Sequence, residues 1–147
     1  MIRQAQAGDV RAVKSCAELA YQKYVHAIGR KPSPMVANFA DLIRQGIVYV
    51  AIDTTGNIDG FIVFHPVDNS MHLANVAVLP ASMGMGIGKA LIQYCENSAR
   101  NQGLARIDLY TNIKMLDNLN IYPHLGYQEV DSRKEDNFHR VFFQKLL

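Results

Sequence analysis

Residues 83–88 read Met-Gly-Met-Gly-Ile-Gly and are followed by Lys89. Glycines at 84, 86 and 88 remove Cβ atoms where the backbone must bend and come close to something. The segment lies between an apolar run closed by Pro80 and a stretch of helical periodicity. A first helical turn leaves its N–H groups unpaired and carries the positive end of the helix dipole, so this is a natural seat for an anion such as pyrophosphate. Spacing separates the known phosphate loops. A Walker loop needs a hydroxyl after Gly-Lys, and Gly88-Lys89 is followed by Ala90. A dinucleotide fingerprint needs G-x-G-x-x-G in a first βα unit, whereas these glycines are spaced G-x-G-x-G in mid-chain, after a hairpin pattern. A tight helix start with no guest remains open for the glycines alone.

The elements that must position this turn follow from periodicity. Asp9 is a plausible N-cap for a helix over about 9–27, with apolar positions Val10, Val13, Ala17, Ala20, Tyr21, Tyr24 and Ile28. Gly29 ends it, residues 30–34 form a stiff connection with Pro32 and Pro34, and 35–45 reads as a shorter helix stopped by Gly46. Residues 47–52 and 58–64 spell a hairpin, 65–70 a second turn, and 71–79 the next strand. The glycine turn then feeds an amphipathic helix over 86–100, with Ile87, Ala90, Leu91, Tyr94 and Cys95 on its apolar stripe. A strand over 106–110, a short helix over about 114–124 and strands near 128–131 and 140–145 complete the order β-α-α-β-β-β-α-β-α-β-β. No repeat or low-complexity segment interrupts it.

Composition sets the class. The chain has 147 residues, 49% hydrophobic and 19% charged, which suits one globular domain over 1–147 with a real core. The net charge is +2 with scattered basic residues, which gives no argument for nucleic acid. Cys16 and Cys95 form no Cys-x-x-Cys or zinc spacing, so both are expected as free thiols in a reducing cytoplasm, with Cys95 packed in the core. No apolar signal core follows Met1 and no run of about 18 apolar residues occurs, so neither export nor a membrane span is expected.

Asn75-Val76-Ala77-Val78-Leu79-Pro80 followed by Met83-Gly84-Met85-Gly86-Ile87-Gly88-Lys89-Ala90-Leu91 resembles the pyrophosphate loop of the GCN5-related N-acetyltransferase (GNAT) family, whose pattern is Gln/Arg-x-x-Gly-x-Gly/Ala. Ile121-Tyr122-Pro123-His124-Leu125-Gly126-Tyr127 resembles the family's C-terminal tyrosine box. With the strand order, the resemblance spans nearly the whole chain. It implies an acyl-CoA N-acyltransferase fold of the α/β (α+β) type: a mixed, mostly antiparallel sheet of six or seven strands flanked by four helices. It also implies an acetyl-CoA-dependent N-acetyltransferase acting on a primary amine, either a small molecule or a protein amine. No metal is implied; a homodimer through the terminal strands stays open, and no sequence feature establishes it. Rivals are a non-catalytic acyl-CoA-binding module of the same fold and a nucleotide-binding regulatory domain.

The resemblance assigns residues. Val76, Ala77 and Val78 would pair with the pantetheine arm through their backbone. Met83, Gly84, Met85, Gly86, Ile87, Gly88 and Lys89 would hold the pyrophosphate; Met83 stands where the family carries Gln or Arg, and Lys89 offers charge in exchange. Tyr122 is the expected general acid. A phenol of pKa about 10 stays protonated at neutral pH and can donate to a thiolate whose conjugate acid, like Cys, has a pKa near 8.5. Asn118, one turn earlier on the same face, could bond the pantetheine. At position 75, where many relatives carry a Glu base, this chain has Asn, which leaves His65 and His72 as titratable candidates. The acceptor pocket would draw on Tyr21, Tyr24, Arg30, Lys31 and Met35, with the Arg30-Lys31 pair able to grip a carboxylate. Arg133, His139 and Arg140 near the final hairpin offer the same chemistry.

Overall fold

The computed structural model describes residues 1–147. Its strands are β1 (Ile2–Gln4), β2 (Val48–Ile52), β3 (Ile58–Val67), β4 (Ser70–Val78), β5 (Arg106–Asn112), β6 (Gln128–Glu135) and β7 (Phe138–Leu146), and its helices are α1 (Val10–Ile28), α2 (Phe39–Arg44), α3 (Ile87–Asn101) and α4 (Leu116–His124). They build a seven-stranded sheet in the order β1-β2-β3-β4-β5-β7-β6. Only β4 and β5 run parallel. Two parallel neighbours need a long crossover, and α3 is that crossover. The observed order of elements and the mixed, mostly antiparallel sheet with four helices match the expectation.

Two cores lie on opposite faces. Leu91, Ile92, Cys95 and Ala99 of α3 pack with Ile62, Phe64, Met71, Leu73, Ile107, Leu109, Tyr122 and Phe143. Val13, Cys16, Ala17 and Tyr21 of α1 and Phe39 and Ile43 of α2 pack with Val48, Val50, Phe61, Val63 and Ala77. The run Phe61 to Phe64 is buried throughout because α1 covers alternate residues on one face and α3 the others. At Gly60 a Cβ would stand 2.7 Å from the Ala77 carbonyl oxygen and within 3.4 Å of Leu91 and Ile87 side-chain carbons, so glycine permits both the strand pairing and the seating of α3. Burial raises the Cys16 thiol to about 12 and pushes the Cys95 thiol up strongly, which makes both inert packing groups.

Several boundaries move. Asp9 precedes α1 but does not cap it; its carboxylate accepts from Arg3 Nη1 at 2.7 Å and from the Gln6 N–H at 2.8 Å, which closes a 3-10 turn over Ala7–Asp9. The helix expected over 35–45 is broken: a 3-10 turn spans Ser33–Met35 and α2 begins only at Phe39, capped by Asn38 Oδ1 on the Asp41 N–H. The strand expected to end at Phe64 continues to Val67, since the turn is made by Asp68 and Asn69 with Asp68 at φ 54°. No helix is long and apolar enough to cross a membrane.

Candidate active site

β4 and β5 pair only between Ser70–His72 and Arg106–Asp108, and then part. The partners of β3 along β4 jump from Phe64↔Leu73 to Val63↔Asn75, which leaves Ala74 as an extra, bulged residue that bends β4. β5 meanwhile stays paired with β7 through Asn112. The Leu79 N–H bonds to the Asp59 carbonyl at 2.8 Å, so by antiparallel alternation Ala77 turns its backbone groups toward β3 while Val76 and Val78 turn theirs into the gap. The same alternation, set by the Ile113 N–H on His139 O at 2.9 Å, turns Tyr110 and Asn112 of β5 into the gap from the other side. Of the three backbone positions expected along the fourth strand, two therefore face the cleft, and Ala77 faces the sheet.

The glycine turn sits at the open end of this gap. Gly84 and Gly86 have φ of 83° and 78°, in the left-handed region that favours glycine, and the space where their Cβ atoms would be is open. No backbone carbonyl accepts from the N–H groups of Gly84 through Lys89, the first helical bond being Ala90 N–H on Gly86 O at 3.0 Å. At Gly88 a Cβ would make only an ordinary contact, 3.6 Å from a Val78 methyl, so packing inside the protein does not demand glycine there. A concave set of unpaired N–H groups at a helix start fits a pyrophosphate. Met83 and Met85 are exposed, at 59% and 71%, and Lys89 is exposed beside them. The cradle is thus almost wholly backbone.

A cavity of about 230 Å³ opens from the cleft between α1, the 32–37 connection and β7. Tyr21 enters it from α1, and its hydroxyl donates to Asn75 Oδ1 at 2.7 Å and lies 3.0 Å from Val76 O. Asn75 Nδ2 donates to Pro34 O at 2.9 Å. Asn75 is thereby spent holding β4 to α1 and to the Pro34 connection. Tyr122, on α4, packs against Tyr127 and Phe143 at ring distances of 5.6 and 5.7 Å. Its hydroxyl has no hydrogen bond from the protein, yet Ser70 Oγ is the single sealed side-chain polar atom without a partner, so the Tyr122 hydroxyl opens onto the cavity it lines. Burial, with a contribution from nearby Cys95, pushes the phenol well above the usual tyrosine range. Asn118 also lines the cavity and donates to Thr111 Oγ1 at 3.2 Å.

The polar candidates divide sharply. His65 and Arg140 line the cavity. His72 is paired across the strands with His65, at 5.5 Å between rings, but belongs to the open face of the sheet beside Asp108 and Tyr110. Tyr24 and Lys23 are turned to Asp117, at 3.2 and 2.7 Å. Arg30 stacks 3.8 Å over Phe138 and donates to Asp136 O at 2.6 Å, and neither it nor the exposed Lys31 lines the cavity. Arg133 is held by Asp131 and Glu135, and His139 lies 2.7 Å from Ser132 Oγ. Tyr110, Asn112 and Ser33 line the cavity without having been singled out in the sequence. For Tyr110 and Asn112 the period of two along β5 was the available signal; for Ser33 there was none.

The parted strands, the glycine turn and the tyrosine on α4 lie within residues 44–129, and that stretch matches the family model for the acetyltransferase (GNAT) domain. The chain belongs to the GNAT acetyltransferase family. The GNAT fold is also that of solved structures covering nearly all of the chain. A GNAT-family acetyltransferase from Staphylococcus aureus superposes with a TM-score of 0.82 at 19% identity, over 100% of this chain and 98% of its own. The PaiA N-acetyltransferase from Thermoplasma acidophilum, solved in complex with coenzyme A, gives 0.78 at 15% identity, over 100% and 98%. A curated relative, the aminoalkylphosphonate N-acetyltransferase of Salmonella typhimurium, is 31% identical over 97 residues, 61% of this chain and 62% of its own length. The GNAT domain match includes Tyr122 and the glycine turn but stops short of α1 with Tyr21 and of β7 with Arg140, the two walls of the cavity.

Proposed function

We propose that residues 1–147 act as one N-acetyltransferase domain that moves the acetyl group of acetyl-CoA to the primary amine of an acceptor held in the cavity between α1 and β7. The observation that carries this is the buried Tyr122, whose hydroxyl is left without a protein partner at a cavity lined also by the bulged stretch of β4. The family membership of the chain supports the reaction class.

Each residue then has a task. The N–H groups from Gly84 through Lys89 bind the pyrophosphate, with Met83, Met85 and Ile87 supplying backbone rather than side-chain chemistry. Val76 and Val78 offer backbone groups to the pantetheine arm as a neighbouring strand would, and an N–H from this edge polarises the thioester carbonyl. Asn118 anchors the arm from the α4 side. The neutral amine attacks the carbonyl carbon: the C–N bond forms, the C–S bond breaks with its electron pair going to sulfur, and the amine nitrogen releases a proton to water. Tyr122 gives its phenolic proton to the thiolate and regains one from solvent. His65, on the cavity wall, receives the amine proton through water.

The reading takes a small-molecule amine as acceptor, since a cavity of about 230 Å³ between the connection carrying Pro32 and Pro34 and Phe138 and Arg140 of β7 suits one. The relative's acceptor class, an aminoalkylphosphonate, is accordingly one to assay. Thermal-shift titration with acetyl-CoA, CoA, ATP and NAD, followed by thiol release from acetyl-CoA over a panel of amines, tests the reading. Stabilisation by acetyl-CoA and CoA with amine-dependent thiol release is the expected result. Stabilisation by ATP but not acetyl-CoA would remove it, and binding of acetyl-CoA with no thiol release on any amine would leave an acyl-CoA-binding module instead.

A further inference from the structure

Arg140 is the one permanently charged residue on the cavity wall; no Asp or Glu lines that cavity. Its side chain is only 12% exposed. The guanidinium lies 4.7 Å over the Tyr110 ring and 5.4 Å from the Phe138 ring, two aromatic surfaces that hold its plane. Its donors are almost unspent. The hydrogen bond it makes, to Ser33 Oγ, is long at 3.4 Å. The carboxylates of Glu135 and Asp136 stand at 3.6 and 3.8 Å, outside good hydrogen-bond reach, and Glu135 is also engaged by Arg133 at 3.3 Å. Arg30, the cation expected from the sequence, is committed to Asp136 O and Phe138 and leaves Arg140 as the cation of this wall.

A largely buried guanidinium, fixed in orientation and short of acceptors, has the fork geometry that binds a carboxylate or phosphonate through paired N–H···O bonds. Glu135 and Asp136, each within 4 Å, share its charge, so discrimination comes from the directed N–H donors of the fork, which a polyamine carrying a second ammonium group in place of the oxyanion leaves without an acceptor. We propose that Arg140 is a specificity-determining residue, and that the acceptor is a small amine bearing an oxyanion group at its far end, an amino carboxylate or an aminoalkylphosphonate. The oxyanion docks on Arg140, with Ser33 Oγ beside it, while the amine points toward the bulged stretch of β4 and Tyr122. This inference rests on the acetyltransferase reading and adds the acceptor class to it.

The test compares kcat/KM for thiol release with 3-aminopropanoate, 2-aminoethylphosphonate, propylamine and spermidine, in the native protein and in Arg140→Met and Arg140→Lys. Native protein should prefer the two anionic amines over propylamine by about 10- to 100-fold, the range of a hydrogen-bonded pair with charged groups, and should use spermidine worst. Arg140→Met should collapse that ratio toward one, and Arg140→Lys, which keeps the charge but loses the fork, should restore part of it. Carboxylate and phosphonate arms separate the two oxyanions. A native enzyme indifferent to the anionic group would overturn the inference, as would an Arg140→Met variant in which all four amines fall by one factor. That uniform fall is the mark of a merely structural role, and CoA binding by thermal shift reports folding of each variant. Absence of thiol release with every amine would instead sink the transferase reading itself.

Discussion

Tyr122 combines two conditions that seldom coincide: a phenol buried among Tyr127, Phe143 and Cys95, and a hydroxyl free to face a cavity. Burial disfavours the phenolate, so its ordinary value of about 10 is a lower bound in the fold, and the proton that the proposed acid role requires is present throughout the neutral and mildly alkaline range. The rate should therefore rise with pH as the acceptor amine loses its own proton, without a falling limb below about pH 10. Tyr122→Phe should lower kcat by about 10²- to 10⁴-fold, the usual worth of a positioned acid, with little change in the acetyl-CoA concentration for half-saturation. Steady-state thiol release checks it. A phenylalanine variant with native turnover would return Tyr122 to the core as an ordinary aromatic. Asn75 shows the opposite outcome for a residue legible in the sequence: its place on the strand was readable, but both ends of its amide are consumed by Tyr21 and Pro34, contacts from 54 and 41 residues away.

At the scale of elements, the glycine turn separates two demands on glycine that the sequence presents as one. Gly86 needs its conformation: at φ 78° an alanine costs about 1–2 kcal/mol, so Gly86→Ala should lower the unfolding midpoint of the free protein. Gly88 has no positive φ and room for a methyl against Val78, so Gly88→Ala should leave that midpoint close to native and yet raise the Kd for CoA if the pyrophosphate closes over it. Calorimetric CoA titration beside thermal denaturation of both variants tells the demands apart. Equal CoA affinity in Gly88→Ala and the native protein would move the phosphate site off the helix start. The bulge at Ala74 had no signal in the sequence, since nothing in Leu73, Ala74 and Asn75 marks an extra residue; the slip appears only in the pairing with β3.

Across the whole molecule, one buried ionic knot ties together the helix that carries the glycine turn and the strand that carries Arg140. Glu96 of α3 accepts from Tyr127 Oη at 2.9 Å and from Lys145 Nζ of β7 at 3.2 Å, and Lys145 also donates to Leu125 O at 2.9 Å. Removing one partner strands a charge in the core, so Lys145→Met should cost about 3 kcal/mol by denaturant unfolding, and pairing it with Glu96→Gln should recover part of that. His72 gives the fold a second, pH-dependent handle. Burial, aided by His65 and opposed by Asp108, holds its pKa below the free value of about 6.5. The unfolded chain therefore takes up the proton first as pH falls, and stability present above that value is lost as pH drops through it toward the folded pKa. The thermal midpoint should decline between pH 7.5 and 5, and His72→Gln should flatten that decline; an equal slope in the variant would assign it to another group.

The amino-acid sequence by itself determined the order of elements, the family, the glycine turn at the start of α3 and the tyrosine on α4, because each is written in local spacing: periods of two and 3.6, glycines at alternate positions, a Tyr and a Gly four residues apart. Tertiary structure decided which cation faces the cavity. Arg30-Lys31 and Arg140 were equivalent on paper, as basic residues near prolines or a hairpin. The packing of Phe138 under Arg30 and of Tyr110 under Arg140 sent one outward to Asp136 O and kept the other in the cavity with only long contacts to Ser33, Glu135 and Asp136. Such a choice depends on contacts between segments about 100 residues apart, Arg30 with Asp136 and Arg140 with Ser33, and no local pattern of residues encodes which side chain the fold will turn into the cavity.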